Sequence, residues 1–112
     1  MNPQINYTDF SKIDIRTGTI VHAELFDEAI KPAYKLKIDF GDLGIRKSSA
    51  QLVKNYSAEE LIGKQITAVV NFPPKQIANF MSECLVLGAV DSDGNVTLLS
   101  PLNSVANGSK IA

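Results

Sequence analysis

The order of periodic segments around one short helix signal constrains the fold more than any other feature of the chain. Tyr34, Leu36, Ile38 and Phe40 alternate with Lys35, Lys37 and Asp39. A period of two with one apolar face reads as a half-buried antiparallel strand. "GDLG" then turns the chain, and "IRKSSAQLV" returns as the hairpin partner. Upstream, "IDIRTGTIVHAEL" alternates Ile13, Ile15, Thr17, Thr19 and Val21 against Arg16, Gly18, Ile20 and His22. That is a third strand, with Gly18 marking a bulge, a bend or a close backbone approach. Downstream, "SAEELIG" carries the clear helix signal: Ser57 and Glu60 form a capping box, and Gly63 supplies the stop. "QITAVVN" and "SECLVLGAV" read as two more strands. Asp93-Gly94 marks a tight turn, and "VTLLS" reads as a short last strand.

Ahead of the strands, "TDFSKI" reads as one helical turn with Thr8 as its N-cap. Residues 1–7 look like a flexible lead-in. The order is therefore three strands, a short helix, then two or three strands. It fits an all-β chain with a short helix: a five-stranded Greek-key barrel of the OB type, the helix lying between strands three and four. Another small barrel or a sandwich is the alternative. A length of 112 residues suits a single domain, 1–112, with one core.

Catalytic and metal chemistry have little to work with. His22 is the only histidine, and no set of His, Cys or carboxylate residues stands at ligand spacing. No Ser/His/Asp or Cys/His pattern and no glycine-rich phosphate loop is present. The expectation is a protein that is not an enzyme, with no cofactor and no metal. Cys84 is the lone cysteine, so no intrachain disulfide forms. Its place in "ECLVLG" reads as a buried, inert thiol, and a reducing cytoplasmic setting is expected. No apolar run approaches the roughly 20 residues that cross a bilayer. The first residues lack the basic-then-apolar order of a secretory signal, so no membrane insertion or export is expected.

Net charge is −1, but the charge is uneven. Lys31, Lys35, Lys37, Arg46, Lys47 and Lys54 stand against only Asp39 and Asp42 in the middle of the chain. Such a local patch can steer an anionic partner, and it can equally be a solvated strand face. The other unusual stretch is "NFPPKQIANFMSE", Asn71 to Glu83. Pro73-Pro74 fixes successive backbone angles, and Phe72 before a proline is pushed to extended geometry. A stiff loop loses little entropy on meeting a partner. Its donors, its Lys75 and its aromatics suit unpaired bases. Its apolar members, Phe72, Ile77, Phe80 and Met81, suit an apolar peptide groove. A third reading is a proline corner whose Phe72 and Phe80 plug the barrel.

"DIRTGTI", "NFPPKQIANFMSECLVLG" and the closing Asn107-Gly108 before Lys110 resemble the tRNA-binding domain family, nearest to its free-standing branch of CsaA-type secretion chaperones. The likeness runs from Asp9 to Ile111. It implies an OB-fold barrel with added N- and C-terminal segments, and a homodimer joined partly through those segments. Relatives of the domain are appendages of tRNA synthetases that help hold tRNA. Carried over, the tRNA-facing surface falls on Lys31, Arg46, Lys47, Ser49, Asn71, Lys75, Ser82 and Glu83. One departure is Ser82-Glu83-Cys84-Leu85, where many relatives carry Ser-x-Gly-Met. The acid and the mildly acidic overall charge favour the CsaA-like role: a cytoplasmic chaperone for unfolded or export-bound polypeptides, in contact with the secretion machinery, that keeps a tRNA-binding surface. Phe72, Pro73, Pro74, Ile77, Phe80 and Met81 are then the expected peptide site. The alternative is a trans-acting tRNA-binding factor serving a synthetase.

Overall fold

The computed structural model describes all of residues 1–112. Its spine is β1 (Ile15–Leu25), which serves two neighbours in succession. Over Ile15–Thr19 it pairs antiparallel with β4 (Gln65–Val69), and over Thr19–Leu25 with β2 (Tyr34–Asp39). Gly18 sits one residue before Thr19, where the two pairings meet. A Cβ there would stand 2.7 Å from Ile38 Cγ2 and 2.8 Å from the Phe40 ring, so the glycine marks a close approach. The bulge lies further on. Register slips between Ile20 and His22, which leaves Val21 and His22 both outward and re-aims the rest of the strand.

The sheet closes towards a barrel in the order β3-β2-β1-β4-β7, with β3 at Ile45–Ala50 and β7 at Leu85–Val86. The β2–β3 hairpin keeps unbroken register from Tyr34↔Ala50 to Asp39↔Ile45. Between β3 and β4 comes α2 (Ala58–Leu61), capped reciprocally by Ser57 and Glu60 as its sequence requires. Its Leu61 is fully buried among Ile20, Leu36, Ile38, Phe40 and Ile66 in the barrel core. Near the start of the chain, α1 (Tyr7–Ser11) is a single turn capped by Asn6, not Thr8, because Asn6 and Asp9 form the capping box.

The strand expected over residues 82–90 is three pieces. β5 (Lys75–Ile77) and β6 (Phe80–Ser82) make a hairpin of their own. β7 then pairs with β4, and β8 (Gly88–Val90) turns back on β9 (Val96–Leu98). The breaks occur because residues 82–84 form the barrel's seam with β3. The Glu83 N–H donates to the Lys47 carbonyl at 2.8 Å, and Glu83 Oε1 accepts from the Lys47 N–H at 2.9 Å. Ser82 Oγ accepts from the Ser49 N–H, and Ser48 Oγ donates to the Cys84 carbonyl at 3.0 Å. Side chains thus satisfy an edge that a regular strand would otherwise pair.

The C-terminal segment occupies the free edge of β1 beside β4's pairing. Thr17 and Ile15 exchange main-chain bonds with Gly108, Ser109 and Ile111. Thr17 is completely buried there, its Oγ1 donating to the Ala106 carbonyl and accepting from the Ser109 N–H. Gln65 clasps Val105 through both ends of its amide.

Candidate functional site

Register places the cations. Lys35 lies opposite Ser49, and Lys37 lies opposite both Lys47 and His22, all on the outer face of β1–β2–β3. Lys37 against Lys47 puts like charges directly across a ladder, which destabilises a sheet unless an anion lies over it. The β1–β2 loop brings exposed Lys31 to one end of this face, and β5 brings exposed Lys75. Between them runs a groove of about 660 Å³ whose lining includes Glu28, Lys31, Ser49, Lys75, Gln76 and Ile77. The strand two–three face flanked by these two loops is where OB folds take oligonucleotides.

Phe80 orders part of this face from a small apolar cluster separate from the barrel core. Its ring is 9% exposed and meets Phe26 edge-on at 5.4 Å, with Ala33 beside them. Lys47 Nζ stands 5.1 Å and Lys35 Nζ 5.7 Å from its centroid; Lys35 is also 4.9 Å from that of Phe26. Lys35 reaches Glu28 as well, at 3.8 Å. Hydrogen bonding from its own backbone first, then from Asn79, holds the Glu28 carboxyl below its ordinary range. Asn79–Glu28 ties the β5–β6 hairpin to the β1–β2 loop across the groove.

A second, apolar pocket of about 360 Å³ opens on the other side of Lys75. Phe72, Pro73, Lys75, Ser82, Cys84 and Leu85 line it. Phe72 is 55% exposed and Leu85 49%, so both present apolar surface to the outside. Burial raises the Cys84 thiol to about 11, so it contributes as a neutral wall and not as a nucleophile.

The expected site residues divide accordingly. Lys31, Lys47, Ser49 and Lys75 meet on the groove or its adjoining face. Arg46 lies on the opposite side of β3 from Lys47, and its Nη1 donates to the Val70 carbonyl at 2.8 Å. Asn71 spends both ends of its amide on the main chain of Lys12 and Asp14, which anchors the N-terminal segment. Ser82 and Glu83 hold the seam. Among the expected peptide residues, Phe72, Pro73, Pro74 and Met81 are exposed and Ile77 is half-buried on the groove. Phe80 offers no such surface, because alternation along β6 turns it inward beside Ile77 and turns Met81 out. Lys35, Lys37 and Leu85 were missed as site residues. The alternation of "YKLKIDF" held the signal for the two lysines, but only the hairpin register shows that they share a face with Lys47.

No group of three or more His, Cys, Asp or Glu residues stands together to hold a metal, and no helix is long and apolar enough to cross a membrane.

Two solved structures carry the same architecture over nearly the whole chain. The chaperone CsaA from Bacillus anthracis is 55% identical, with a TM-score of 0.94 over 98% of this chain and all of that one. CsaA from Picrophilus torridus is 63% identical, with a TM-score of 0.90 over 97% of this chain and all of that one. A methionine–tRNA ligase from Porphyromonas gingivalis is 38% identical over 107 residues, 96% of this chain; the chain spans only 15% of that ligase. The family model for the tRNA binding domain matches residues 15–110. With its OB barrel and this match over most of its length, the chain belongs to the tRNA-binding domain family.

Proposed function

We propose that the chain is a CsaA-type chaperone that binds unfolded or export-bound polypeptides in the apolar pocket and tRNA along the cationic groove, without catalysing a reaction. One observation carries this reading: Lys75 lines both the pocket and the groove. The pocket takes an apolar side chain against Phe72, Pro73 and Leu85. The groove takes phosphates on Lys31 and Lys75, with Lys37 and Lys47 on the adjoining sheet. Two such chaperones share the fold at high identity, which supports the polypeptide role.

A homodimer completes the proposal. Exposed Ile5, Tyr7, Leu102 and Val105 on the terminal segments offer apolar surface for a second copy. Two copies would add avidity for a partner long enough to engage both. Cytoplasmic location and hand-over to the secretion machinery belong to the same reading. The likeness to a tRNA ligase supports a second one, in which the chain presents tRNA to a synthetase in trans.

The test separates the two sites. Phe72→Ser should weaken binding of a reduced, unfolded polypeptide and spare tRNA. Lys31→Ala should weaken tRNA binding, most at low salt, and spare the polypeptide. Equal effects of each substitution on both ligands would defeat the two-site reading. Retained tRNA binding without polypeptide binding would favour the synthetase role.

A further inference from the structure

A third cavity lies beyond the tip of the β1–β2 loop. It measures about 360 Å³, and its lining includes Lys31, Gln51, Lys54, Asn55, Asn95 and Val96. Lys31 and Gln51 also line the main groove, so the two depressions adjoin. No acid lines this cavity. Of the two carboxylates in the neighbouring turn, Asp91 accepts from the Asp93 and Asn95 N–H groups and so shapes the turn, while Asp93 is exposed outside the cavity lining. Asn55 Nδ2 donates to the Val96 carbonyl at 2.8 Å, which fixes the loop after β3 against β9. Both walls are therefore built, and exposed Lys54 stands on one of them.

The opposite wall holds an oddity. Asn95 Oδ1 is the one buried side-chain oxygen or nitrogen in the molecule with no hydrogen-bond partner. Leaving such an acceptor unmet is unfavourable. Its amide carries an acceptor and two donors, and rotation about its last torsion exchanges them. No hydrogen bond holds the Asn95 side chain in one orientation, so its amide is free to present either end to the cavity that the residue lines.

We infer that this cavity is a further nucleotide subsite, in which Lys31 and Lys54 hold the phosphates of single-stranded RNA leaving the main groove and Asn95 meets its sugar or base. The inference rests on the RNA half of the proposed function. Cations run from Lys75 through Lys31 to Lys54 along two adjoining depressions, and a phosphodiester chain is the ligand whose charge repeats along its length. A hydrogen-bonding amide next to that track suits the donor-rich edge of an unpaired nucleotide, including its 2′-hydroxyl.

The experiment uses fluorescein-labelled oligouridylates of two lengths, one that fills the main groove alone and one that extends past it. Anisotropy is read across a salt series for the full chain, Lys54→Ala, Asn95→Ala and Lys75→Ala. For the long oligomer, Lys54→Ala should weaken binding several-fold and lower the slope of log affinity against log salt by about 0.7, one single-strand phosphate contact. Asn95→Ala should weaken long-oligomer binding without changing that slope. The short oligomer should respond to Lys75→Ala and not to either of the others. Unchanged long-oligomer binding in Lys54→Ala and Asn95→Ala, with Lys75→Ala still impaired, overturns the subsite and leaves the main groove standing. Absence of binding by the unmodified chain at low salt overturns the RNA reading and the subsite with it.

Discussion

Glu83 is the residue whose role the geometry changes most, and its removal has a calculable effect. Its carboxylate accepts from the Lys47 N–H while its own N–H donates to the Lys47 carbonyl, so it pins β3 to the segment that closes the barrel. Glu83→Ala keeps the main-chain bond and leaves the Lys47 N–H unmet in a half-buried place. An orphaned donor of that kind costs about 2 kcal/mol. For a chain of this size that is a fall in Tm of about 5–10 °C. Glu83→Gln keeps an acceptor on the same stem but loses the charge, so roughly 0.5–1 kcal/mol should be lost. The assay is thermal unfolding by circular dichroism, with denaturant titration to check the ranking Glu, then Gln, then Ala. RNA affinity at a temperature where all three are folded should change far less than stability does. An unchanged Tm in Glu83→Ala, together with a tenfold loss of RNA affinity in Glu83→Gln, would refute the seam role and make Glu83 a ligand contact.

Three further outcomes follow from the same contacts. Gly18→Ala should lose about 1–3 kcal/mol in denaturant titration, because the added carbon meets Ile38 and Phe40 in a filled core. Phe80→Leu should keep most of the burial but release Lys35 and Lys47 from the ring face, lowering RNA affinity more than Tm; Phe80→Trp should restore affinity if the pocket repacks. The folded Cys84 thiol is raised from 9.0 to about 11, so the folded state binds its proton more tightly than the unfolded chain does. The stability this contributes is fully present below pH 9 and is lost as pH rises towards 11. Unfolding free energy should fall more steeply over that window for the natural chain than for Cys84→Ala.

The parts of the fold that follow from local rules were legible in the chain. Alternation in "YKLKIDF" gave β2, and the Ser57–Glu60 box gave α2 where it stands. Features that depend on distant partners were not. Gly18 announced a special position, and it marks the close approach beside Thr19, where β1 changes neighbours; the slip fell two residues further on, at Val21, within the pairing with β2. The run "SECLVLGAV" reads as one strand until Ser82 and Glu83 are needed at the seam. Residues 104–111 have no apolar period, and they dock because Thr17 and Gln65, far away in the chain, offer matching polar groups.

The site shows the same division. Lys31 and Lys75 were readable as free cations, although Lys75 begins the short strand β5 and does not lie on a loop. Asn71, Ser82 and Glu83 looked like ligand groups because they are polar and lie beside a stiff loop. Whether a side chain's hydrogen bonds are already used within the fold is a property of the fold alone, and theirs are. Phe72 and Phe80 differ for a simpler reason. Phe72 lies in the extended approach to the prolines, while Phe80 falls on the inward side of a short strand.

The most direct measurement is competition between the two ligands at Lys75. Labelled tRNA bound at low salt would be titrated with a reduced, unfolded polypeptide, using the unmodified chain and Lys75→Ala. Two sites that share a wall predict mutual displacement by the unmodified chain, and weaker binding of tRNA, with a shallower salt slope, by the variant. Simultaneous, independent binding of both ligands, unaffected by Lys75→Ala, would contradict it.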